Sequence, residues 1–385
     1  MYPGVLSLTS TGFGWLMIAV TLAVFGAVVA WLPRAAGRGP KPVLARAGLV
    51  AVVALTVVST VAVQLNDRFL FFAGWGDLAG ALRGTPVTSA VHRGGGAEQA
   101  ARAQVPGAAA TPSTGALQAL PRGSRIQDGV TSYQITGPLS EVTAGVQVTV
   151  PPGYDPADPT TTYPVLETFT GYPASVDQWV KAMGLQTQVA DEVAVHRLHR
   201  MILVSPQWEV PRGTDTECVD GGAGNPQLET FVTRDVPNWV AAHFRVSPGR
   251  GSWAAIGLSA GGWCAAMAAM LHPAQYGGAI VMGGYFRPDF GPRYEPFPAG
   301  SDAGRRYDLV ALARRSPPPL ALWVETSHAD PLSFSTTTAL LSASKPPLSV
   351  TAVVLQNAGH RIGVWQGLTP EALRWLGASV PGFAP

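Results

Sequence analysis

Hydrophobicity changes regime along the chain. No charged residue occurs from Met1 to Pro33, and residues 12–32 are almost continuously apolar. A second uncharged run, rich in valine and alanine, covers residues 47–66. Each run is about 20 residues, the length a helix needs to cross a hydrocarbon core. A cleaved signal peptide is the rival for the first run, but it wants a basic start and a shorter apolar stretch. A buried soluble helix is the rival for the second. Two such runs in series favour a transmembrane helical hairpin. The loop between them carries Arg34, Arg38, Lys41 and Arg46 and no acid, so it stays in the cytoplasm and everything past residue 66 faces outward. Residues 67–83 include Phe69, Phe71, Phe72 and Trp75, which suit a membrane interface. Residues 84–123 lack apolar periodicity and contain Gly94-Gly95-Gly96. This composition reads as a flexible linker, and no strand or helix flanks the glycines to make a phosphate loop.

Periodic sequence resumes at Ser124. Residues 132–135 and 142–150 have strand composition, the second run ending in the turn Pro151-Pro152-Gly153-Tyr154. Further strands are expected at 163–170, 201–205, 253–257, 279–282, 320–324 and 348–355. Helical patterns lie between them, one at 189–199 and one opened by Asn225-Pro226. The latter carries the apolar stripe Leu228, Phe231, Val232, Val236, Trp239 and Val240. Alternating strands and helices predict an α/β fold with a mainly parallel sheet flanked by helices, the early strands adding antiparallel at one edge. The expected domains are a transmembrane hairpin over 1–66, an interfacial segment and linker over 67–123, and a catalytic domain over 124–385.

Composition narrows the function. Of the 385 residues 13% are charged, with 26 basic, 24 acidic and a net charge of +2. There is no basic stripe with interleaved aromatics, which argues against nucleic acid as a partner. Two cysteines and seven scattered histidines offer no structural metal pattern, and no cofactor motif is read. His196 and His199, three apart on an expected helix, read as a solvated face rather than a metal pair.

The chemistry converges on Gly257-Leu258-Ser259-Ala260-Gly261-Gly262. An apolar run, Gly-x-Ser-x-Gly and an alanine-rich segment predict a strand, a sharp turn and a helix, with Ser259 at the tip as nucleophile. Acid and histidine should follow in that order on later loops. His360, directly past the last strand, is the candidate base. Asp330, in a loop leading into a helix at about Leu332, is favoured as the acid over Glu325, which lies close to the strand end. His272 reads as a surface or cap residue, and His328 as a neighbour of the site. The oxyanion donors would be the N–H groups of Ala260 and of Tyr172, the latter on the loop after the 163–170 strand. Trp179, Trp208, Trp263, Tyr285 and Phe286 are candidates for an apolar pocket, with core packing explaining most of them and Trp208 and Trp263 nearest the site.

Thr170-Gly171-Tyr172, the Ser259 elbow, and Gly359-His360 ahead of Val364-Trp365 resemble the putative-esterase family of α/β-hydrolases. That family includes esterase D-like enzymes and antigen 85 mycolyltransferases. Trp75-Gly76-Asp77-Leu78 and Asp215-Thr216-Glu217-Cys218-Val219-Asp220 are similar to segments of membrane-anchored actinobacterial members. The resemblance covers roughly residues 124–378, with a weaker echo in 12–83. It implies a serine esterase or acyltransferase fold acting on an ester or lipid-ester substrate and leaves the substrate open. The alternatives are a mycolyl-type acyltransferase serving a cell-envelope acceptor, and a catalytically inactive hydrolase fold acting as an envelope module. The even cysteine count in an outward-facing domain favours a Cys218–Cys264 disulfide over two buried free thiols. Oligomeric state is left open.

The hairpin reading makes a checkable statement about sidedness. A periplasmic-type phosphatase reporter fused after residue 385 should be active in cells, and a cytoplasm-dependent reporter at the same place silent. The opposite pattern would refute it.

Overall fold

The protein is described from a computed structural model, which covers residues 7–84, 90–93, 117–127, 129–291, 294–298 and 300–385. Most of the expected linker, including Gly94–Gly96, lies outside the described residues. The chain divides into two compact units.

The first unit takes the described part of Met1–Val87 together with Asn357–Val364. It contains α1 (Thr11–Trp31), α2 (Pro40–Phe69) and α3 (Trp75–Leu82). Ser10 caps α1 by accepting from the Phe13 N–H. Helix α2 starts seven residues before the apolar run does. Pro40 has no N–H to leave unsatisfied at a first-turn position, and Lys41 and Arg46 are good helix formers. Both segments are long and apolar enough to cross a membrane, and they are 0% and 6% buried over their most apolar windows. Large side chains such as Trp15, Leu22, Phe25, Leu55 and Val58 are exposed. The two helices are joined by polar contacts: the Thr21 and Thr60 hydroxyls lie 2.8 Å apart, and Thr60 donates to the Met17 carbonyl at 3.2 Å. Hydroxyl bonds of this kind hold helices together where no hydrophobic force distinguishes helix from lipid.

The second unit is built on a sheet of ten strands among the described residues. They are β1 (Ala90–Arg93), β2 (Ser124–Gln127), β3 (Val130–Thr136), β4 (Thr143–Thr149), β5 (Val165–Phe169), β6 (Ile202–Pro206), β7 (Trp253–Leu258), β8 (Gly278–Met282), β9 (Ala321–Ser327) and β10 (Ser349–Leu355). Their order is β1-β10-β9-β8-β7-β5-β6-β4-β3-β2. The six strands from β10 to β6 are parallel. The early hairpins add antiparallel at one edge, as expected. The helices are α4 (Leu185–Ala194), α5 (Val236–His243), α6 (Ala260–Leu271), α7 (Asp302–Arg306), α8 (Leu309–Arg315), α9 (Pro331–Ala343) and α10 (Ile362–Ser379). Strands β5 to β8 are buried along their whole length, which is why they show no alternation of apolar and polar faces. Every residue of α6 from Ala260 to Met270 is buried, so this alanine-rich helix is apolar all round.

Three expectations are corrected. Residues 90–93, read as linker, form β1 and pair antiparallel with β10; four residues supporting one edge leave too little periodicity to detect. Helix α4 ends at Ala194, so His196 and His199 do not share a helix; His196 has φ 54° and His199 Nδ1 donates to the Arg200 carbonyl at 2.7 Å. Helical structure begins at Leu228 rather than Asn225, because Asn225 and Gln227 close a turn through their own side chains onto Gly221 and Gly222.

Two carboxylates inside this unit are held in opposite protonation regimes. Glu167 on β5 is fully buried, with one oxygen accepting from the Tyr276 hydroxyl at 2.6 Å. Burial pushes its carboxyl up to about 8, against the Tyr276 bond. Glu229 is pushed up by burial as well, but hydrogen bonds from His272, Tyr307 and Arg306 outweigh that and bring it down to about 2. His272, the C-cap of α6 as one of its expected roles had it, also anchors this buried carboxylate.

For Glu167 the folded chain keeps a proton that the unfolded chain releases from about pH 4.5 upward. Its contribution is full below that point and is lost as pH rises through about 8. Glu167→Gln, which keeps an acceptor for Tyr276, should lose less melting temperature than the wild type between pH 6 and 9. Parallel melting curves across that range would contradict the assignment.

Candidate active site

In the parallel part of the sheet the chain runs outward from β5 to β6, then crosses back to place β7 on the other side of β5. The loops leaving the carboxyl ends of β5 and β7 therefore diverge, and a crevice opens between them. Both candidate halves of the acyl-transfer chemistry sit at that switch point.

Ser259 follows β7 and caps α6 with φ 55° and ψ −123°. This conformation is costly for a residue with a Cβ and persists only when its surroundings impose it. The imposition is visible. A Cβ on Gly257 would lie 1.8 Å from the Gly261 carbonyl oxygen, and one on Gly261 would lie 2.3 Å from the Phe169 and Thr170 carbonyl oxygens. Strand and helix therefore approach as closely as backbone allows. The Ser259 N–H donates to the Met282 carbonyl at 2.9 Å and its carbonyl accepts from Trp263 at 3.2 Å. Ser259 is half-buried, and the Ala260 N–H is the first of α6, in the turn whose N–H groups lack intrahelical acceptors.

The β5 loop comes to the serine. A Cβ at Gly171 would be 3.4 Å from the Ser259 Cβ. The loop is braced from outside: the Gly171 N–H donates to Gln178 at 3.2 Å, the Trp208 indole N–H to the Thr170 carbonyl at 3.2 Å, and the Tyr172 hydroxyl to the Gly213 carbonyl at 2.8 Å. The Ala174 N–H donates to Glu209 at 2.8 Å. Tyr172 directly follows Gly171 in this loop.

The two acid candidates differ in kind. β9 runs on to Ser327, so Glu325 lies inside the strand, in register with Met282 of β8, which pairs with Leu258 of β7. Its carboxylate accepts the Gly283 N–H at 2.9 Å. Burial, helped by the charge of Asp330, pushes it up to about 8 against the Gly283 and Trp365 bonds. A carboxyl neutral at pH 7 cannot stabilise an imidazolium. Asp330 sits beyond the strand end as the cap of α9, where Oδ1 accepts the Ser333 N–H at 3.2 Å, and it is 9% exposed. His328 packs against Phe334 with ring centroids 4.1 Å apart and the planes tilted by 44°. His360 follows β10 by five residues and belongs to the first unit through Asn357–Val364. It is half-buried, and its N–H donates to the Leu70 carbonyl at 2.7 Å. A cavity of about 540 Å³ lined by Thr149, Gln186, Val189, Met201 and Leu203 opens where β6 begins, the sheet edge away from the elbow, and carries none of these residues.

The family model described as "Putative esterase" matches residues 140–368, more than half of the chain and all of the elements just described from β5 to β10. The chain belongs to that family. Among curated proteins, an uncharacterized protein of Corynebacterium glutamicum is 32% identical over 147 residues, 38% of this chain and 34% of the relative. The MPT51/MPB51 antigen of Mycobacterium tuberculosis is 37% identical over 65 residues, 17% of this chain and 21% of the relative. The chain thus aligns with about a third or less of either relative's length. Among solved structures, an S-formylglutathione hydrolase from Agrobacterium tumefaciens superposes with a TM-score of 0.54 at 14% identity, covering 67% of this chain and 98% of that one. A ferulic acid esterase superposes with a TM-score of 0.52 at 17% identity, covering 64% and 96%. These structures establish the α/β-hydrolase fold.

In this family member the rim beside the elbow is covalently stapled. Cys218 and Cys264 form a disulfide with Cα atoms 5.7 Å apart, tying the loop before α5 to the second turn of α6. Loop entropy gives a bridge of this span a worth on the order of 4 kcal/mol. Glu217 and Cys218 both have positive φ, 52° and 51°. The turn is held further by the Trp263 indole donating to the Glu217 carbonyl at 2.7 Å, by Tyr285 donating to the Glu217 carboxyl, and by the Thr216 hydroxyl donating to the Trp208 carbonyl at 2.7 Å. Nearby, burial raises Asp215 to about 7. Trp208 and Trp263 are buried braces with their N–H groups satisfied, and Trp208 also lines a small pocket beside Thr170; Trp179 and Phe286 are core, and Tyr285 is held by Glu217.

The contrast between the acids is testable by ester turnover. Glu325→Gln should retain activity within a few-fold, whereas Asp330→Asn should lose about 10³–10⁴ in kcat. The reverse ranking would move the acid to Glu325.

Proposed function

We propose that this protein is a membrane-anchored serine esterase whose α/β-hydrolase unit faces the outside of the cell, working through Ser259, His360 and Asp330. The observation that carries the reading is the elbow: a non-glycine residue at φ 55° on the tip of a strand–helix turn, with a second loop beside it at Gly171. Strain of this kind persists only where the surroundings impose it, and it clusters at active sites. His360 removes the Ser259 proton as Oγ attacks the ester carbonyl. Asp330 holds the imidazole tautomer and balances the imidazolium. The tetrahedral oxyanion is met by the N–H groups of Ala260 and Tyr172, each worth roughly 3 kcal/mol of barrier. Collapse expels the alcohol, which takes its proton from His360. Water, activated by the same histidine, then attacks the acyl-enzyme and releases the acid.

The two apolar helices support the anchor, and the basic residues Arg34, Arg38, Lys41 and Arg46 between them support the sidedness. The disulfide supports an oxidising compartment. An anchor at the membrane suits lipid-ester substrates. An acyltransferase of the mycolyl type would share every step up to the acyl-enzyme and differ in the acceptor alone.

Full-length protein in detergent should be labelled by a fluorophosphonate, and labelling should vanish in Ser259→Ala. A folded wild type that refuses the label would favour the inactive-module reading. With an activated fatty-acyl ester, added trehalose or glucose should leave the yield of free acid unchanged for an esterase. Diversion of most of the acyl product into sugar ester would instead establish the transferase.

A further inference from the structure

The loop that carries His360 is only six residues long between Leu355, the end of β10, and Ile362, the start of α10. Within the first unit three consecutive residues of that loop are fastened to the stretch just after α2. The Gly359 N–H donates to Asp77 Oδ2 at 2.9 Å. The His360 N–H donates to the Leu70 carbonyl at 2.7 Å. Arg361 makes a two-pronged pair with Asp77, Nη1 to Oδ2 and Nη2 to Oδ1, both at 2.6 Å. The same guanidinium donates to the Phe71 carbonyl at 3.0 Å and lies 4.9 Å from the centroid of the Phe72 ring. The side chains of Arg361 and Asp77 are 15% and 7% exposed, so this pair is neither screened nor loose in the way surface pairs are. A Cβ on Gly359 would sit 2.2 Å from the Phe71 carbonyl oxygen; the two backbones touch, and only glycine fits.

The receiving segment is itself fixed to the end of the second apolar helix. Leu70 closes α2 with φ 51°, its N–H bonded to the Asn66 carbonyl at 2.8 Å. Asn66 is buried and clamps Phe72 from both sides, accepting its N–H at 2.7 Å and donating to its carbonyl at 3.0 Å. Asp77 Oδ2 also accepts the Ala73 N–H at 2.9 Å. Asn66, Asp77 and Arg361 thus build a continuous polar lattice from the helix end to the residue next to His360.

We propose that Asp77 is a positioning residue for the general base: through Arg361 and the Gly359 N–H it sets the backbone of the His360 loop, so that catalysis depends on the segment that joins the membrane helices to the enzyme. This rests on the reading of His360 as the base. A base displaced by about an ångström loses rate steeply while ground-state binding of the ester is little changed, so the signature belongs in kcat and not in KM.

The test uses full-length protein in detergent with p-nitrophenyl butyrate. Asp77→Ala and Arg361→Gln should each lower kcat 10- to 100-fold at a KM within about twofold of wild type and with an unchanged melting midpoint of the hydrolase unit. Asp77→Glu should recover most of the loss, and the exchanged pair Asp77→Arg with Arg361→Asp should exceed Asp77→Ala at least fivefold. Arg374→Gln, which breaks the Glu192 pair elsewhere, is the control for a merely structural effect. The proposal is overturned if Asp77→Ala and Arg361→Gln stay within twofold of wild-type kcat while His360→Ala is inactive, or if activity falls only in step with the folded fraction. A His360→Ala variant with wild-type kcat would overturn the base assignment, and this role for Asp77 with it.

Discussion

The close approach of β7 and α6 is the constraint on which the hydrolase unit depends. Two side-chain-free positions, Gly257 and Gly261, let the helix start almost on top of the strand end and against the carbonyls that close β5. This contact forces Ser259 out of the ordinary backbone regions. It also aims the first turn of α6, with its unsatisfied N–H groups, at the same point. The small residues of α6 at the contact, Gly261 and Gly262, follow from the same requirement: a Cβ on Gly262 would lie 2.9 Å from the Gly284 Cα. The Cys218–Cys264 bridge then fixes the rim loop to the helix one turn further along.

Around that contact the unit buries acids in more than one protonation state. Glu167 and Glu325, both inside parallel strands, are pushed toward neutrality by burial, and so act as hydrogen-bonding groups that fasten Tyr276 and the Gly283 turn. Glu229 keeps its charge because His272, Arg306 and Tyr307 surround it. A strand interior therefore suits a structural carboxyl. Asp330 stands past the strand end, at the start of α9, where its Oδ1 caps the helix at the Ser333 N–H. The choice between the two acids rests on this difference in environment.

Much of this was legible in the sequence because the signals were local. Gly-x-Ser-x-Gly between an apolar run and an alanine-rich run specifies its own strand, turn and helix, and the apolar runs after it mark the parallel strands. Both cysteines could be paired because there were only two. Register was harder: β9 was expected to stop at Val324 but runs to Ser327, because Thr326 and Ser327 satisfy their polar groups locally instead of ending the strand. Long-range contacts left no trace in any window. The pairing of Asp77 with Arg361 spans 284 residues, and the bond from Tyr172 to Gly213 joins two loops with no shared pattern. The strand at 90–93 was hidden in a stretch of linker composition, because what makes it a strand is the open edge of β10.

The central claim is that catalysis proceeds through an acyl group carried on Ser259. Rapid-quench mixing of the full-length protein with an activated acyl ester, read by intact mass and then by peptide mapping, tests it most directly. A burst of about one equivalent of alcohol and one acyl mass increment is expected, located on the peptide that contains Ser259. Turnover without any covalent increment, or an increment mapped to another residue, would contradict it.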